Sequence, residues 1–316
     1  MKGTEPQAGS ARDLLWAELG EICQGPVMLT VPMSRFTTLR VGGPAEALVC
    51  PTSPLEVARV MKWAKQRGVA VSVIGAGSNL LVRQGGIRGL VMRIGPPMER
   101  WDAREENGRI HLKAQAGLPL PRLLGQAVRS GWGGLEFLVG IPGSLGGAIA
   151  MNAGTPEGCM GDLVEEVTWV DDSGGVVTRG RADLDFSYRR LNRPHGMAIV
   201  EACLALTPRD PREVWEGLRQ RMILRRRTQP YGSPSAGSVF KNPPGDHAGR
   251  IIEELGLKGL RRGGAMISFL HANFIVNTGW ATADDILALI HEVRQRVERS
   301  CGIHLELEIH VLGEDR

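Results

Sequence analysis

The chain has 316 residues, with 38 lysines and arginines against 34 aspartates and glutamates, a formal charge of +4. That balance is too mild for the basic footprint of a nucleic-acid-binding protein, and the length predicts roughly two domains. Hydrophobic residues make up 42% and charged residues 23%, a globular composition; the 42 glycines, well above the usual ~7% and without a G-X-Y period, call for tight turns rather than disorder or a collagen helix.

The longest tempting stretch, residues 137–156, carries no charge but is broken by Pro142 and by Gly140, Gly143, Gly146, Gly147 and Gly154, so it does not read as a membrane span. The opening MKGTEPQAGSARD has no apolar run of the kind a secretory signal carries. Cys23, Cys50, Cys159, Cys203 and Cys301 are scattered, odd in number and lack a C-x-x-C spacing. They predict reduced thiols in a cytoplasmic protein, with neither a disulfide framework nor a metal site.

In chain order, the first element is an amphipathic helix through Leu14, Leu15, Leu19 and Ile22, followed by a Pro/Gly-rich connector and a strand at 45–49. Ser53 then caps a helix with Pro54 at its first position and Glu56 reaching back. Val57, Val60, Met61 and Ala64 form its apolar face, and Gly68 ends it. Residues 69–74 read as a strand.

The run Gly75-Ala76-Gly77-Ser78-Asn79 follows that strand and invites a dinucleotide fingerprint. Position 80 is Leu rather than a third Gly, and 80–94 reads as short strands around Gly85-Gly86 rather than a helix. The Rossmann reading therefore fails, while an anion nest of backbone N–H groups survives.

A strand at 110–116 and a helix at 120–128, closed near Gly131, come next. IPGSLGGAIAMNAG at 141–154 is small enough for a flat ligand or a second segment to approach its backbone. Strands at 164–170 and 176–179 flank a hairpin turn, and 197–206 is another strand. After Pro208 the composition shifts. A basic helix at 211–227 leads to a loop at 231–245 and a helix capped by Asp246 that holds Ile251, Ile252 and Leu255. A strand at 274–277, a helix opening at Thr282 and Asp285 and ending near Gly302, and a strand at 305–312 complete the chain.

Three Gly-rich segments, at 37–44, 75–79 and 141–154, together suggest one extended phosphate-bearing cofactor threaded between strands. The absence of G-x-x-x-x-G-K-[ST] excludes a P-loop nucleotide. Ser238, Lys241 and Asn242 bring a hydroxyl, a cation and an amide together, which suits an anionic substrate and a proton donor; a plain Ser/Gly loop is the other reading. Tyr188-Arg189-Arg190 reads by itself as a surface turn, and Arg225-Arg226-Arg227 as a solvated helix end. Glu306 and Glu308 alternate with Leu305, Leu307 and Ile309, as on an ordinary solvated strand face.

TTLRVGGPAE, VIGAGSNLLV, GLEFLVGIPGSLGGAIAMNAG, FSYRR, PSAGSVFKNP, HANFIVN and LELEIHVLG, in that order over about 35–313, closely resemble the UDP-N-acetylenolpyruvoylglucosamine reductase family, flavin enzymes of peptidoglycan precursor synthesis. The compact segment around Ser238 is similar to the subtype lacking an extra substrate-binding loop. The resemblance implies an α+β fold with three parts: an N-terminal helix and connector at 1–35, an FAD-binding domain of the vanillyl-alcohol-oxidase (PCMH) type at 36–208, and a smaller C-terminal α+β substrate domain at 209–316.

Carried over by motif, Arg40, Val41 and Gly42 lie near non-covalent FAD. Gly75, Ala76, Gly77, Ser78 and Asn79 hold its pyrophosphate, and Pro142, Gly143, Ser144, Gly146 and Gly147 flank the flavin. Arg189, Ser238 and Glu308 fall on catalytic positions, and Tyr188, Lys241 and Asn242 on substrate-binding ones. The resemblance implies NADPH as co-substrate and hydride delivery from flavin N5 to the enolpyruvyl methylene carbon. Arg189 and Glu308 then stabilise the charge, and Ser238 protonates the carbon alpha to the carboxylate. It also implies a cytoplasmic monomer with no metal, nucleic-acid or membrane partner.

Leu191, Leu270 and Leu307 depart from the family's frequent Ser, Lys and Pro. Three alternatives stand beside this reading. One is a flavin oxidase of the same fold, although the three Gly-rich segments offer no His or Cys for covalent attachment. The second is a catalytically silent nucleotide-binding or scaffold protein. The third is nucleic-acid binding through the 211–227 helix, whose signature would be weak, strongly salt-dependent binding.

Overall fold

The computed structural model describes residues 11–194 and 196–315, with side chains from Leu14 onward. The first ten residues, on which the reading of the N-terminal segment mostly rests, lie outside the described residues.

The first sheet has the order Val27–Pro32, Pro44–Val49, Ile87–Arg93, Val71–Ile74; its first pair is antiparallel and the other two are parallel. Helix Pro54–Arg67 forms as its caps dictate. Ser53 accepts from the Glu56 amide, Pro54 occupies the first turn, and Gly68 closes the helix at φ +64°. The Glu56 carboxylate goes one residue beyond the cap: it accepts from Thr52 N at 2.9 Å and Thr52 Oγ1 at 2.7 Å, and from the Cys23 thiol at 3.2 Å. This ties the helix to the end of the preceding one.

That preceding helix, Ala11–Ile22, is rotated from the expected phase. Leu14 is exposed, while Trp16 and Leu19 are buried. The cause is aromatic packing, with the Trp16 ring 6.0 Å from that of Trp63.

The second sheet is antiparallel, in the order Val176–Gly180, Val164–Val170, Ala198–Pro208, Arg109–Gln115, Trp101–Glu106. Helix Leu120–Ser130, closed by Gly131 at φ +66°, packs beside it. The basic helix Pro211–Thr228 buries Val214 and Leu218 in this same core. A short helix, Leu145–Ala150, lies inside the small-residue segment at 141–154. Gly146 is required there: a Cβ would stand 2.7 Å from that of Ala116.

The third sheet, Ser235–Ser238, Phe274–Asn277, Ala265–Ile267, Arg261–Arg262, shares a second core with helices Ala248–Glu254 and Ala283–Cys301. Thr282 and Asp285 make a reciprocal capping box. Asp246 does not cap helix Ala248–Glu254. It pairs with Arg250, and Asn242 Oδ1 accepts from the Ala248 amide at 3.1 Å instead.

Only His310–Leu312 of the expected closing strand is regular, and it pairs in parallel with Leu80–Val82. Leu39, Val41 and Leu81 from the N-terminal half are buried in the second core. The two cores are thus stitched together directly beside the Gly75–Asn79 loop. Among the described residues no helix is long and apolar enough to cross a membrane.

Candidate active site

The three Gly-rich segments close onto one another. Gly77 sits at φ +71°, where a Cβ would stand 1.9 Å from the Phe36 carbonyl oxygen. The Thr38 amide donates to Gly77 O at 3.2 Å. A Cβ on Gly75 would lie 2.6 Å from Ser144 Oγ, and one on Gly143 3.3 Å from Ser78 Oγ. Backbone therefore lines this cleft because side chains cannot fit. The Ser144 hydroxyl is buried with no hydrogen-bond partner among the described residues, which leaves a donor for a ligand.

The cleft opens into a cavity of about 1610 Å³. Arg40, Gly75, Ala76, Gly77, Ser78, Asn79, Pro142, Gly143, Ser144, Gly146 and Gly147 line it, and so do Arg189, Ser238 and Glu308. The remaining expected residues stand elsewhere. Val41 is buried in the second core, and Gly42 is pressed against Val82. Tyr188 is exposed beneath the Arg189 guanidinium, 5.2 Å from ring centre to Cζ. Lys241 pairs with Glu306 at 3.0 Å, and Asn242 holds the helix start described above.

Arg189 is indeed in a turn, at the tip of the hairpin Asp185–Ser187/Arg190–Asn192, but its side chain is turned inward. It takes φ +58°, unusual for a non-glycine residue. One guanidinium nitrogen, Nη1, donates to the Gly154 carbonyl at 2.8 Å. Nε lies 2.7 Å from Glu308 Oε1, yet its N–H is not aligned to make a hydrogen bond. The contact is an ion pair with a donor left over.

Glu308 is fixed through its backbone. Its amide donates to Val239 O at 2.8 Å, and its carbonyl accepts from Asn79 Nδ2 at 3.1 Å. The next anchor is His310 N, which donates to Asn79 O at 2.9 Å. The Asn79 amide is thus engaged with the strand that carries Glu308 rather than aimed at an empty cleft. Burial pushes the Glu308 carboxyl above its ordinary value, and the charges of Arg189 and Lys241 only partly offset it. Ser238 arrives from an irregular strand end, where Gly237 at φ +76° breaks the register with Phe274–Asn277.

The sequence did not mark the cavity's electrostatics. Arg40, Arg189, Arg193, Arg219, Arg225 and Arg226 line it, whereas Glu308 is its one acidic lining residue among those described. Burial lowers the pKa of both Arg193 and Arg225. Such an excess of guanidinium suits a ligand with several phosphate or carboxylate groups. His310 also lines the cavity, with Nε2 3.1 Å from Met151 Sδ; burial and then the Lys241 and Arg193 charges hold its pKa low. Of the departures from the family pattern, Leu191 is buried in the first core, Leu270 is exposed, and Leu307 bridges to Phe240.

A glycine-walled cleft opening into an arginine-rich cavity suits a protein that binds an extended phosphate-bearing cofactor beside an anionic substrate. Residues 45–180 match the family described as FAD binding domain, and residues 229–312 match UDP-N-acetylenolpyruvoylglucosamine reductase, C-terminal domain. The reductase of Moorella thermoacetica is 45% identical over 303 residues, covering 95% of this chain and 99% of that one. The reductase of Desulforamulus reducens is 40% identical over 302 residues, covering 95% and 98%. A crystal structure of UDP-N-acetylenolpyruvylglucosamine reductase from Thermus caldophilus is 38% identical and superposes with a TM-score of 0.78, covering 92% of this chain and 99% of that one. The chain belongs to the UDP-N-acetylenolpyruvoylglucosamine reductase family, a family of FAD-dependent oxidoreductases in peptidoglycan precursor synthesis. Its residues fit the cofactor: the orphaned Ser144 hydroxyl leaves it a buried donor, and the Gly75 and Gly77 backbone, where a Cβ has no room, suits its pyrophosphate.

Proposed function

We propose that this chain uses NADPH to reduce UDP-N-acetylenolpyruvoylglucosamine to UDP-N-acetylmuramate. The observation that carries the reading is convergence. Arg189 from a hairpin tip, Ser238 from a strand end and Glu308 from the C-terminal segment line one cavity together with the glycine cradle. A flavin oxidase would have no use for that set.

In this reading residues 36–208 hold FAD, and residues 209–316 supply Ser238, Glu308 and most substrate contacts. Gly75, Ala76, Gly77 and Ser78 offer backbone and hydroxyl donors to the pyrophosphate, and Pro142, Gly143, Ser144, Gly146 and Gly147 flank the ring system. When bound there, FAD would supply the hydride chemistry, passing to the methylene carbon of the enolpyruvyl group a hydride that originates from NADPH.

The chain's own residues handle the charge that results. Negative charge grows toward the substrate carboxylate. Arg189, whose side chain lines the cavity beside Glu308, offers a charge-assisted hydrogen bond to it. In this reading Glu308 carries a proton in the reacting complex and donates rather than repels, and the burial that pushes its carboxyl upward supports that role. Ser238 gives its hydroxyl proton to the carbon alpha to the carboxylate. A hydroxyl is a weak acid, but a carbanion at that position is a strong base, so the transfer runs downhill. The other arginines that line the cavity neutralise the diphosphate of the substrate. The walls of the cavity, mostly backbone and apolar side chains, keep these interactions out of bulk water.

Anaerobic NADPH oxidation by the purified flavoprotein tests the proposal. Multiple turnovers are expected only when UDP-N-acetylenolpyruvoylglucosamine is present. At most one flavin equivalent oxidised with or without it overturns the reductase reading, and a further burst on admitting oxygen identifies an oxidase.

A further inference from the structure

Three strands of the antiparallel sheet bring together side chains that the active site does not use. His111 stands on Arg109–Gln115, Cys203 on Ala198–Pro208 and Glu165 on Val164–Val170. His111 Nδ1 lies 2.7 Å from Glu165 Oε2, and Cys203 Sγ lies 3.7 Å from the same oxygen. All three potential ligand atoms fall within 4.8 Å of one another.

The arrangement depends on a backbone irregularity. The register against Ala198–Pro208 shifts between Val164 and Glu166, so Glu165 is the extra residue of a β-bulge. In a regular strand, adjacent residues point to opposite faces, and Glu165 would share the core-facing side with Val167. The bulge instead leaves Glu165 and Glu166 both half-buried, between the fully buried Val164 and Val167, on the side of His111 and Cys203.

We propose that His111, Glu165 and Cys203 form a binding site for a thiophilic divalent cation, zinc first of all, with solvent completing the coordination. The donor set is one imidazole nitrogen, one carboxylate oxygen and one sulfur. Zinc takes this set, whereas magnesium and calcium prefer oxygen alone. With zinc–ligand bonds of about 2.0–2.3 Å, tetrahedral ligands stand about 3.3–3.8 Å apart. The sulfur–oxygen distance already falls in that range, and the nitrogen–oxygen pair has only to open slightly by carboxylate rotation.

His111 and Glu165 side chains are each 36% exposed, so an ion can enter and a water can serve as fourth ligand. Lys113, across the strand pair from Cys203, is paired with Glu201 at 2.8 Å, which tempers its repulsion of a cation. None of the three ligands lines the large cavity, so this site is separate from the catalytic one. Among the described residues no other group of three such side chains meets this distance condition. An ion bound here would staple three strands of the antiparallel sheet within residues 36–208.

The test is titration of chelator-treated, flavin-loaded full-length protein with Zn²⁺ and with Co²⁺. One Co²⁺ per chain should bind with a thiolate-to-cobalt absorption band, and Zn²⁺ should displace it and raise Tm. Cys203→Ser should abolish the band, and His111→Gln and Glu165→Gln should each weaken binding about tenfold or more. Retained flavin absorbance shows that each variant is folded. Failure of the wild-type protein to bind either ion stoichiometrically overturns the site. So does an unchanged band or affinity in Cys203→Ser, which would leave the trio as an ordinary cross-strand ion pair beside a thiol.

Discussion

Glu308 offers the sharpest test of the electrostatics, because two opposing effects meet on one carboxyl. Its Oε1 lies 2.7 Å from Arg189 Nε, and its side chain is 14% exposed. At an effective dielectric constant near 20, unit charges at that separation attract by about 6 kcal/mol. Removing both ions from water costs several kcal/mol each, and the net direction of the carboxyl's pKa is upward, so burial wins. The native state therefore holds this proton more tightly than the unfolded chain does. The associated stability is fully present below the ordinary carboxyl value and is lost as pH climbs through the raised one.

Glu308→Gln cannot ionise and keeps an N–H donor; Glu308→Ala keeps neither. We expect the Ala variant to lose about 10²–10³ in kcat, the usual scale for removing one preorganised donor. The Gln variant should retain more activity than Ala and lose the fall in rate that the wild type shows as pH rises through the Glu308 value. Its Tm at neutral pH should equal or exceed that of the wild type. The assays are pH–rate profiles and thermal melts of the three proteins. A wild-type rate that climbs with pH through this region, or a Gln variant as inactive as Ala, refutes the protonated-donor role.

Asn79→Ala removes the amide that holds the Glu308 carbonyl. A hydrogen bond worth about 1 kcal/mol predicts a kcat lowered roughly fivefold with FAD content unchanged; loss of FAD on gel filtration would instead assign the amide to the cofactor. Gly77→Ala, whose Cβ meets the Phe36 carbonyl, should yield protein with little flavin. Gly68→Ala, at φ +64° but with open space around it, should bind flavin normally, as absorbance ratios will show. Glu56→Gln should destabilise by about 1–3 kcal/mol without changing turnover per flavin, since its carboxylate accepts from Thr52 and Cys23. Burial alone would raise the Glu56 value, but those donors outweigh it and hold it low, so this contribution is present at neutral pH and lost in acid.

Local rules were legible where they are truly local. Ser53-Pro54 and Gly68 bracket their helix, and Thr282 with Asp285 opens another, because caps satisfy orphan backbone groups within a few residues. Leu14 was misassigned because helix phase is set by Trp16 packing on Trp63, far away in sequence. Asp246 lost its capping role to Asn242, which reaches the helix start from an earlier loop.

An anion nest could be read from the Gly75–Asn79 motif after its strand, whereas the proposed catalytic set could be read only in part. Arg189 reads as a surface turn and does lie in one, and only the hairpin's inward tilt brings its guanidinium to Glu308. Alternation put Glu306 and Glu308 on one face. The segment is not a regular strand, so one carboxylate pairs with Lys241 in solvent and the other is buried against Arg189. The hydroxyl, cation and amide close together at 238–242 already pointed to Ser238, whereas Glu308 was singled out by family resemblance alone. The cavity's arginines and the His111–Glu165–Cys203 cluster come from distant segments, and no linear pattern records them.

The central claim is that Ser238 acts after hydride delivery, as the proton donor to carbon. Stopped-flow absorbance of Ser238→Ala separates the two halves of the cycle directly. Bleaching of the flavin by NADPH should proceed at close to the wild-type rate. Return of the flavin absorbance on adding UDP-N-acetylenolpyruvoylglucosamine should slow by orders of magnitude. Equal slowing of both phases, or of neither, contradicts the assignment.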